Sequence, residues 1–367
     1  MFYFVYFSVM GLMLPFFPVY LAALNMNAMT IGFMVGLLSA ARMLAPPLFG
    51  HFLDQRKHAA AGVLSLAACL AAIAFLPLNH AVPWLPLFAL LVLLFSMLWA
   101  GMLPAADGLT LVIAEQQGSD YSRIRAWGSL GFIASSMLAG FWLKESTMHY
   151  FPWIIAFLMF LLAISSSAFR PSMSFAPIAD KPDRPILKKP WSQALRRLML
   201  GGLLMQCSHG AYYGFFSLYL IELGFSNQTI GILWVVGVVA EIVLMAYGGK
   251  WLQKLPLSVC LRACFLLAAL RWLGIGMVED YWLLFVFQLL HAASFAAFHI
   301  ASVTGIARIA PASQQVSTQG WFAAMGFGLG GMLGIVLAGW VVNIMHIQMA
   351  FLLSSLIALA GVYLYRK

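Results

Sequence analysis

The stretch GLMLPFFPVYLAALNMNAMTIG, residues 11–32, returns as GAYYGFFSLYLIELGFSNQTIG at residues 210–231. A displacement of 199 residues aligns Phe16/Phe215, Phe17/Phe216, Tyr20/Tyr219, Leu21/Leu220, Leu24/Leu223, Thr30/Thr229, Ile31/Ile230 and Gly32/Gly231. The same displacement later sets Leu138-Ala139-Gly140 on Leu337-Ala338-Gly339. Two homologous halves in parallel orientation are the signature of a membrane carrier that rocks about a midplane site.

The rest of the chain agrees with that reading. Of its 367 residues 63% are hydrophobic and 8% charged, with a mean hydropathy of +0.94, whereas soluble domains carry about 25% charged residues. At ~20 apolar residues per span, turn-rich and charged breaks mark twelve segments: 2–24, 30–52, 59–77, 83–113, 124–143, 150–169, 198–221, 227–249, 257–277, 281–309, 317–342 and 346–365. None alternates polar and apolar residues as barrel strands do, so the expected fold is an all-α polytopic membrane protein. Its first segment is apolar from Met1 onward, with no basic leader region, and reads as a span. Cys69, Cys207, Cys260 and Cys264 fall in apolar stretches and give neither a disulfide framework nor a zinc site.

Loop charges set the topology. One set of alternate loops holds Arg56 and Lys57, Arg123 and Arg125, the seven basic residues from Arg170 to Arg197, Lys250 and Lys254, Arg308, and the terminal Arg366 and Lys367. The opposite set holds Lys144 alone. By the positive-inside bias both termini are expected in the cytoplasm of a bacterial-type inner membrane. The net charge of +9 is then a topological address and an anionic-lipid contact, not a nucleic-acid footprint. The Pro-rich, basic stretch 170–197 reads as a cytoplasmic linker between six-helix bundles at 1–169 and 198–367.

A charged side chain near the bilayer centre costs at least ~2.5 to 3.5 kcal/mol, so those present are expected to face the interior. Arg42, Asp107, Glu241 and Arg271 meet that description, with His209, His291 and His299 as titratable companions. Arg42 and Glu241 are themselves 199 residues apart, which puts a fixed cation and a proton-exchanging acid at equivalent positions on opposite walls. The alternative is a permanent ion pair holding the halves together. Asp107 follows Pro104, a potential helix breaker, and either handles protons or partners Arg123 or Arg125. Arg271 either meets a carboxylate or snorkels. His291 and His299, eight residues apart, fall roughly on one α-helical face. His209 with Tyr212 and Tyr213 forms a polar-aromatic strip, and Phe16, Tyr20, Trp234 and Phe295 are candidates to line an aryl-sized cavity. Asp54, Arg56, Lys57, Arg123 and Arg125 suit a charge gate at helix ends, or else an ordinary lipid contact.

Several of these stretches are similar to those of the major facilitator superfamily. Gly50-His51-Phe52-Leu53-Asp54-Gln55-Arg56-Lys57 resembles its loop motif, although His58 follows where a glycine is expected. Ala41-Arg42, Pro104-Ala105-Ala106-Asp107, Arg123-Ile124-Arg125-Ala126-Trp127-Gly128-Ser129, His209-Gly210-Ala211-Tyr212-Tyr213-Gly214-Phe215, Gly237-Val238-Val239-Ala240-Glu241, Arg271-Trp272 and Leu290-His291 with His299 resemble its proton-symporter branch. The resemblance implies twelve helices in two pseudo-symmetric bundles. It also implies a monomeric carrier, not an enzyme, driven by a proton gradient without a cofactor or metal, whose partners are a small-molecule substrate, protons and lipids. An arylpropionate-like acid taken up with protons is the leading expectation. Nucleoside or sugar symport and metabolite efflux are alternatives, with a membrane enzyme or a non-transporting sensor outside the transport class.

Overall fold

The computed structural model describes residues 1–54, 59–167, 169, 191–248, 252, 254–311 and 314–366, which are almost entirely helical and contain no strand. The first half comprises α1 (Phe2–Ala23), α2 (Ala28–Asp54), α3 (Ala60–Phe75), α4 (Leu85–Gln117), α5 (Tyr121–Trp142) and α6 (Glu145–Ser166, opening with a tighter 3-10 stretch at Glu145–Tyr150). The second comprises α7 (Gln193–Ser208 and Gly210–Glu222), α8 (Asn227–Gly248), α9 (Leu257–Met277), α10 (Tyr281–Ile309), α11 (Gln315–Ile344) and α12 (Ile347–Leu364). Among the described residues nine of these helices are long and apolar enough to cross a membrane unaided. The other three have local reasons for falling short. The α3 helix has 16 residues, α5 carries Arg123 and Arg125, and α7 is interrupted at His209.

The starts of α5 and α7 lie three and five residues earlier than hydropathy predicts, because they are polar and capped. The Asp120 carboxylate accepts from the Ser122 N–H at 2.8 Å and starts α5 at Tyr121 instead of residue 124. The Ser192 hydroxyl accepts from the Leu195 N–H at 3.3 Å and starts α7 at Gln193 instead of 198. Such caps satisfy backbone donors that the first turn leaves open. Residues 193–197 of the expected linker are thus helical, and residues 170–190 lie outside the described residues. Pro104 does not break α4, which runs 33 residues, about 50 Å, to a left-handed cap at Gly118 with φ of 62°.

Glycines repeat the 199-residue displacement in space. The α1 helix crosses α5 where Gly11 meets Ser135 and Gly131 meets the Phe4 carbonyl. In the second half α7 crosses α11 where Gly210 meets Gly334 and Gly330 meets the Leu203 carbonyl. Every residue of the second crossing is one of the first displaced by 199. A Cβ on Gly330 would stand 2.5 Å from the Leu203 oxygen, so only glycine allows the backbones this close. The bundles then meet along two equivalent seams, α2 against α11 and α5 against α8.

Candidate functional site

The second half holds a chain of polar side chains in an otherwise apolar interior. Gln288, His291 and Ser294 recur every three residues on α10. Helical winding widens by a residue per turn at Ala292–Ala297, just after His291, and at Leu244–Gly248, just after Glu241. Wide turns of this kind inside α-helices are frequent at functional sites. Glu241 of α8 lies with Oε1 2.6 Å from His291 Nε2, and His291 Nδ1 lies 2.7 Å from Arg271 Nη1 on α9. Arg271 also donates from Nη2 to Gln288 Oε1 at 2.6 Å and from Nη1 to Ser294 Oγ at 3.2 Å.

Aromatic rings close around this chain in two layers. Arg271 is 0% exposed, and its guanidinium lies 4.4 Å from the ring centres of both Tyr212 and Trp272. Contacts of this kind stabilise a desolvated cation by about 2 kcal/mol. Tyr212 packs on Trp234 at 4.5 Å, and Trp234 Nε1 donates to Ser217 Oγ at 3.0 Å. His209, where α7 breaks, lies 4.8 Å from Trp272 and 5.9 Å from His291, ring to ring, and its Nδ1 bonds the Met205 carbonyl at 2.8 Å. These groups are enclosed. Tyr213, Phe295, His299 and Phe327 form a partly exposed front layer, with Phe295 stacked on His291 at 5.4 Å and Phe327 near His299 at 6.1 Å. Among the described residues His209 Nε2 and His299 Nδ1 have no hydrogen-bond partner.

The first half contributes a cation and a separate cluster. Arg42 is partly buried and has no acidic partner among the described residues. The structure therefore does not join Arg42 to Glu241, whose partner is His291. The reach of the side chains decides this, since α10 packs directly against α8 while α2 packs on α4 and α11. Asp107 accepts from the Tyr3 hydroxyl at 2.7 Å and pairs with Arg125 Nε at 3.5 Å. Arg125 in turn lies 4.4 Å from the Phe7 ring. Arg123 makes a local, exposed 4.0 Å contact to Asp120.

Other sequence candidates fall elsewhere. Tyr20 donates to Asn79 Oδ1 at 2.8 Å and stacks on Phe151 at 5.1 Å, so it fastens α1 to the turn after α3 and to α6. Phe16 is fully buried and makes no ring contact among the described residues. Arg271 does not snorkel. The side chain of Asp54, and Arg56 and Lys57 altogether, lie outside the described residues. Gln288, Ser294, Trp272 and Phe327 were not anticipated, although the three-residue polar spacing on α10 carried a readable signal for the first two.

Known proteins share this architecture along the whole chain. The chain is 29% identical to a probable 3-phenylpropionic acid transporter of Escherichia coli (strain K12), over 100% of this chain and 96% of that protein. It is 26% identical to the maltose permease of Geobacillus stearothermophilus, over 99% and 91% of the two chains. A crystal structure of a variant of the nucleoside transporter NupG superposes with a TM-score of 0.86 at 17% identity, covering 99% of this chain and 97% of that one. The model of the MFS_1 like family matches residues 1–353. With the repeated halves and the intramembrane charges already described, the chain belongs to the MFS_1 like family and is a multi-pass membrane transporter of the major facilitator type.

Proposed function

We propose that the protein takes up a small aryl carboxylic acid, of the arylpropionate type, together with protons across an inner membrane. The observation that carries this reading is Arg42, a partly buried cation without an acidic partner among the described residues, while the carboxyl one repeat further on, Glu241, is already bonded to His291. An entering carboxylate neutralises Arg42, and a bidentate guanidinium suits that shape. The aryl body then lies on the front layer formed by Tyr213, Phe295 and Phe327.

Protonation of Glu241 removes the remaining exchangeable charge, so the carrier loaded with both acid and proton reorients at lower cost than either singly loaded form. The similarity to a probable 3-phenylpropionic acid transporter over the full length supports the substrate class. The excess of basic residues on the loops at the end that carries the termini supports a cytoplasmic placement of that end.

The test is uptake of radiolabelled 3-phenylpropionate by proteoliposomes with an imposed inside-alkaline pH gradient. Accumulation above equilibrium, abolished by a protonophore, is expected. Accumulation of maltose or a nucleoside in place of the aryl acid would overturn the substrate class, and uptake indifferent to the gradient would overturn the coupling.

A further inference from the structure

Arg271 resembles a substrate anchor by residue type, but its geometry gives it another task. A guanidinium has only donors. With Arg271 Nη1 2.7 Å from His291 Nδ1, that ring nitrogen must accept and so carries no proton. The single ring proton is therefore on Nε2, which donates to Glu241 Oε1 at 2.6 Å. An imidazolium would turn an N–H toward the N–H of Arg271. Arg271 cannot turn away cheaply, because it is held by Gln288 and Ser294, sits between the Tyr212 and Trp272 rings, and is fully buried.

We infer that Arg271 is a positioning residue that locks His291 as the neutral Nε2–H tautomer and so confines the site to one exchangeable proton, on Glu241. This rests on the proton-coupled reading above only for its consequence in transport; the tautomer itself follows from the hydrogen bonds. The other titratable and charged groups facing His291 are His209 and Tyr212 from α7 and Glu241 from α8, with His299 further along α10. Of these only Glu241 accepts from the ring. Without Arg271, His291 becomes free to take a second proton and form an ion pair with the Glu241 carboxylate, which would retain protons in the site.

The readout is ¹⁵N NMR of histidine-labelled, full-length protein in detergent, with His291→Asn used to assign the resonances. The wild type is expected to show His291 with one lone-pair nitrogen and one protonated nitrogen throughout the range from pH 5 to pH 8. Arg271→Met is expected to show both nitrogens protonated at the acid end, and Arg271→Lys, which still offers an N–H, to restore the neutral form. In proteoliposomes the Arg271→Met carrier should retain aryl-acid binding while the proton dependence of uptake steepens from first toward second order.

A wild-type His291 that is doubly protonated or Nδ1-protonated would overturn the inference, as would an unchanged tautomer in Arg271→Met. Loss of aryl-acid binding in Arg271→Met, with circular dichroism and elution profile unchanged, would overturn it in favour of a direct anchor. Failure of proton coupling with the wild-type tautomer as expected would instead fall on the proposed function alone.

Discussion

Gly32 of α2 and Gly339 of α11 touch across the end of the molecule opposite the termini: a Cβ on Gly32 would stand 2.9 Å from the Gly339 Cα. The second seam repeats this at Gly231 and Gly140 of α8 and α5. There, added Cβ atoms would lie 2.5 Å from the Ser136 oxygen and 2.7 Å from the Asn227 oxygen, respectively. Gly231 is Gly32 displaced by 199, and Gly339 is Gly140 displaced by 199. Two equivalent backbone crossings thus close one end around the interior site, and a carrier that alternates must open them.

Gly32→Leu should prop that end open. A larger residue cannot be absorbed by backbone atoms at this distance, so the closed arrangement loses stability relative to the open one. A cysteine at Ile335, which is 2% exposed, in a chain with the four native cysteines replaced by serine, should react with an impermeant maleimide much faster in the Gly32→Leu background. Equal labelling rates in the two backgrounds would show that the crossing does not govern access.

Arg42→Ala should weaken aryl-acid binding about 10- to 100-fold, the equivalent of a charge-assisted hydrogen bond of ~1.5–3 kcal/mol. Arg42→Lys should recover little, since the planar fork is lost. Isothermal calorimetry on the purified carrier measures this directly, and an unchanged dissociation constant in both variants would remove Arg42 from the anion site.

How much of this was readable from the chain depends on what kind of relationship was being read. The crossings were accessible because repetition constrains backbone against backbone, and Gly32/Gly231 and Gly140/Gly339 already lay on the repeat. The partner of Glu241 was not. The displacement placed Arg42 and Glu241 on equivalent helices, but an ion pair needs side chains within about 4 Å, and a neighbouring helix of the same half offered His291 first. His291 and His299 were expected on one face from regular α-helical rotation. The wide turn at Ala292–Ala297 intervenes, and only His291 bonds Glu241. Arg271 could be recognised as an intramembrane charge, yet its enclosure by Tyr212 and Trp272 depends on where α7 and α9 meet, which no local pattern encodes.

The Tyr3–Asp107–Arg125 cluster ties α1, α4 and α5 together near the termini. Asp107 and Arg125 keep 28% and 31% of their side-chain surface exposed, so solvent screening reduces the pair toward surface values. Tyr3→Phe removes the 2.7 Å hydroxyl bond to the carboxylate and should lower stability by about 1 kcal/mol, read as a lower midpoint of thermal unfolding in detergent. Asp107→Asn should cost a similar amount by losing Arg125 while keeping the Tyr3 bond. Unfolding midpoints equal to wild type in both variants would mean that the cluster does not fasten the helices.

Glu241→Gln separates a proton site from a structural contact. The glutamine amide oxygen can accept from His291 Nε2–H as the carboxylate does at 2.6 Å, so the chain from α8 through His291 to Arg271 keeps its geometry. What disappears is a group able to gain and lose a proton. Energised accumulation of the aryl acid should therefore fail, while exchange of labelled for unlabelled acid, which needs no net proton movement, should survive near the wild-type rate. Glu241→Ala behaves differently. It leaves the buried His291 Nε2–H donor unanswered, a loss of about 1–3 kcal/mol, so this variant should unfold more readily and lose exchange as well. A purely structural Glu241 would reverse the first result, because a glutamine that preserves the bond would then preserve accumulation. Wild-type accumulation by Glu241→Gln under a pH gradient thus places the proton elsewhere, and His299, whose charge interacts with Glu241 from the next turns of α10, becomes the residue to replace.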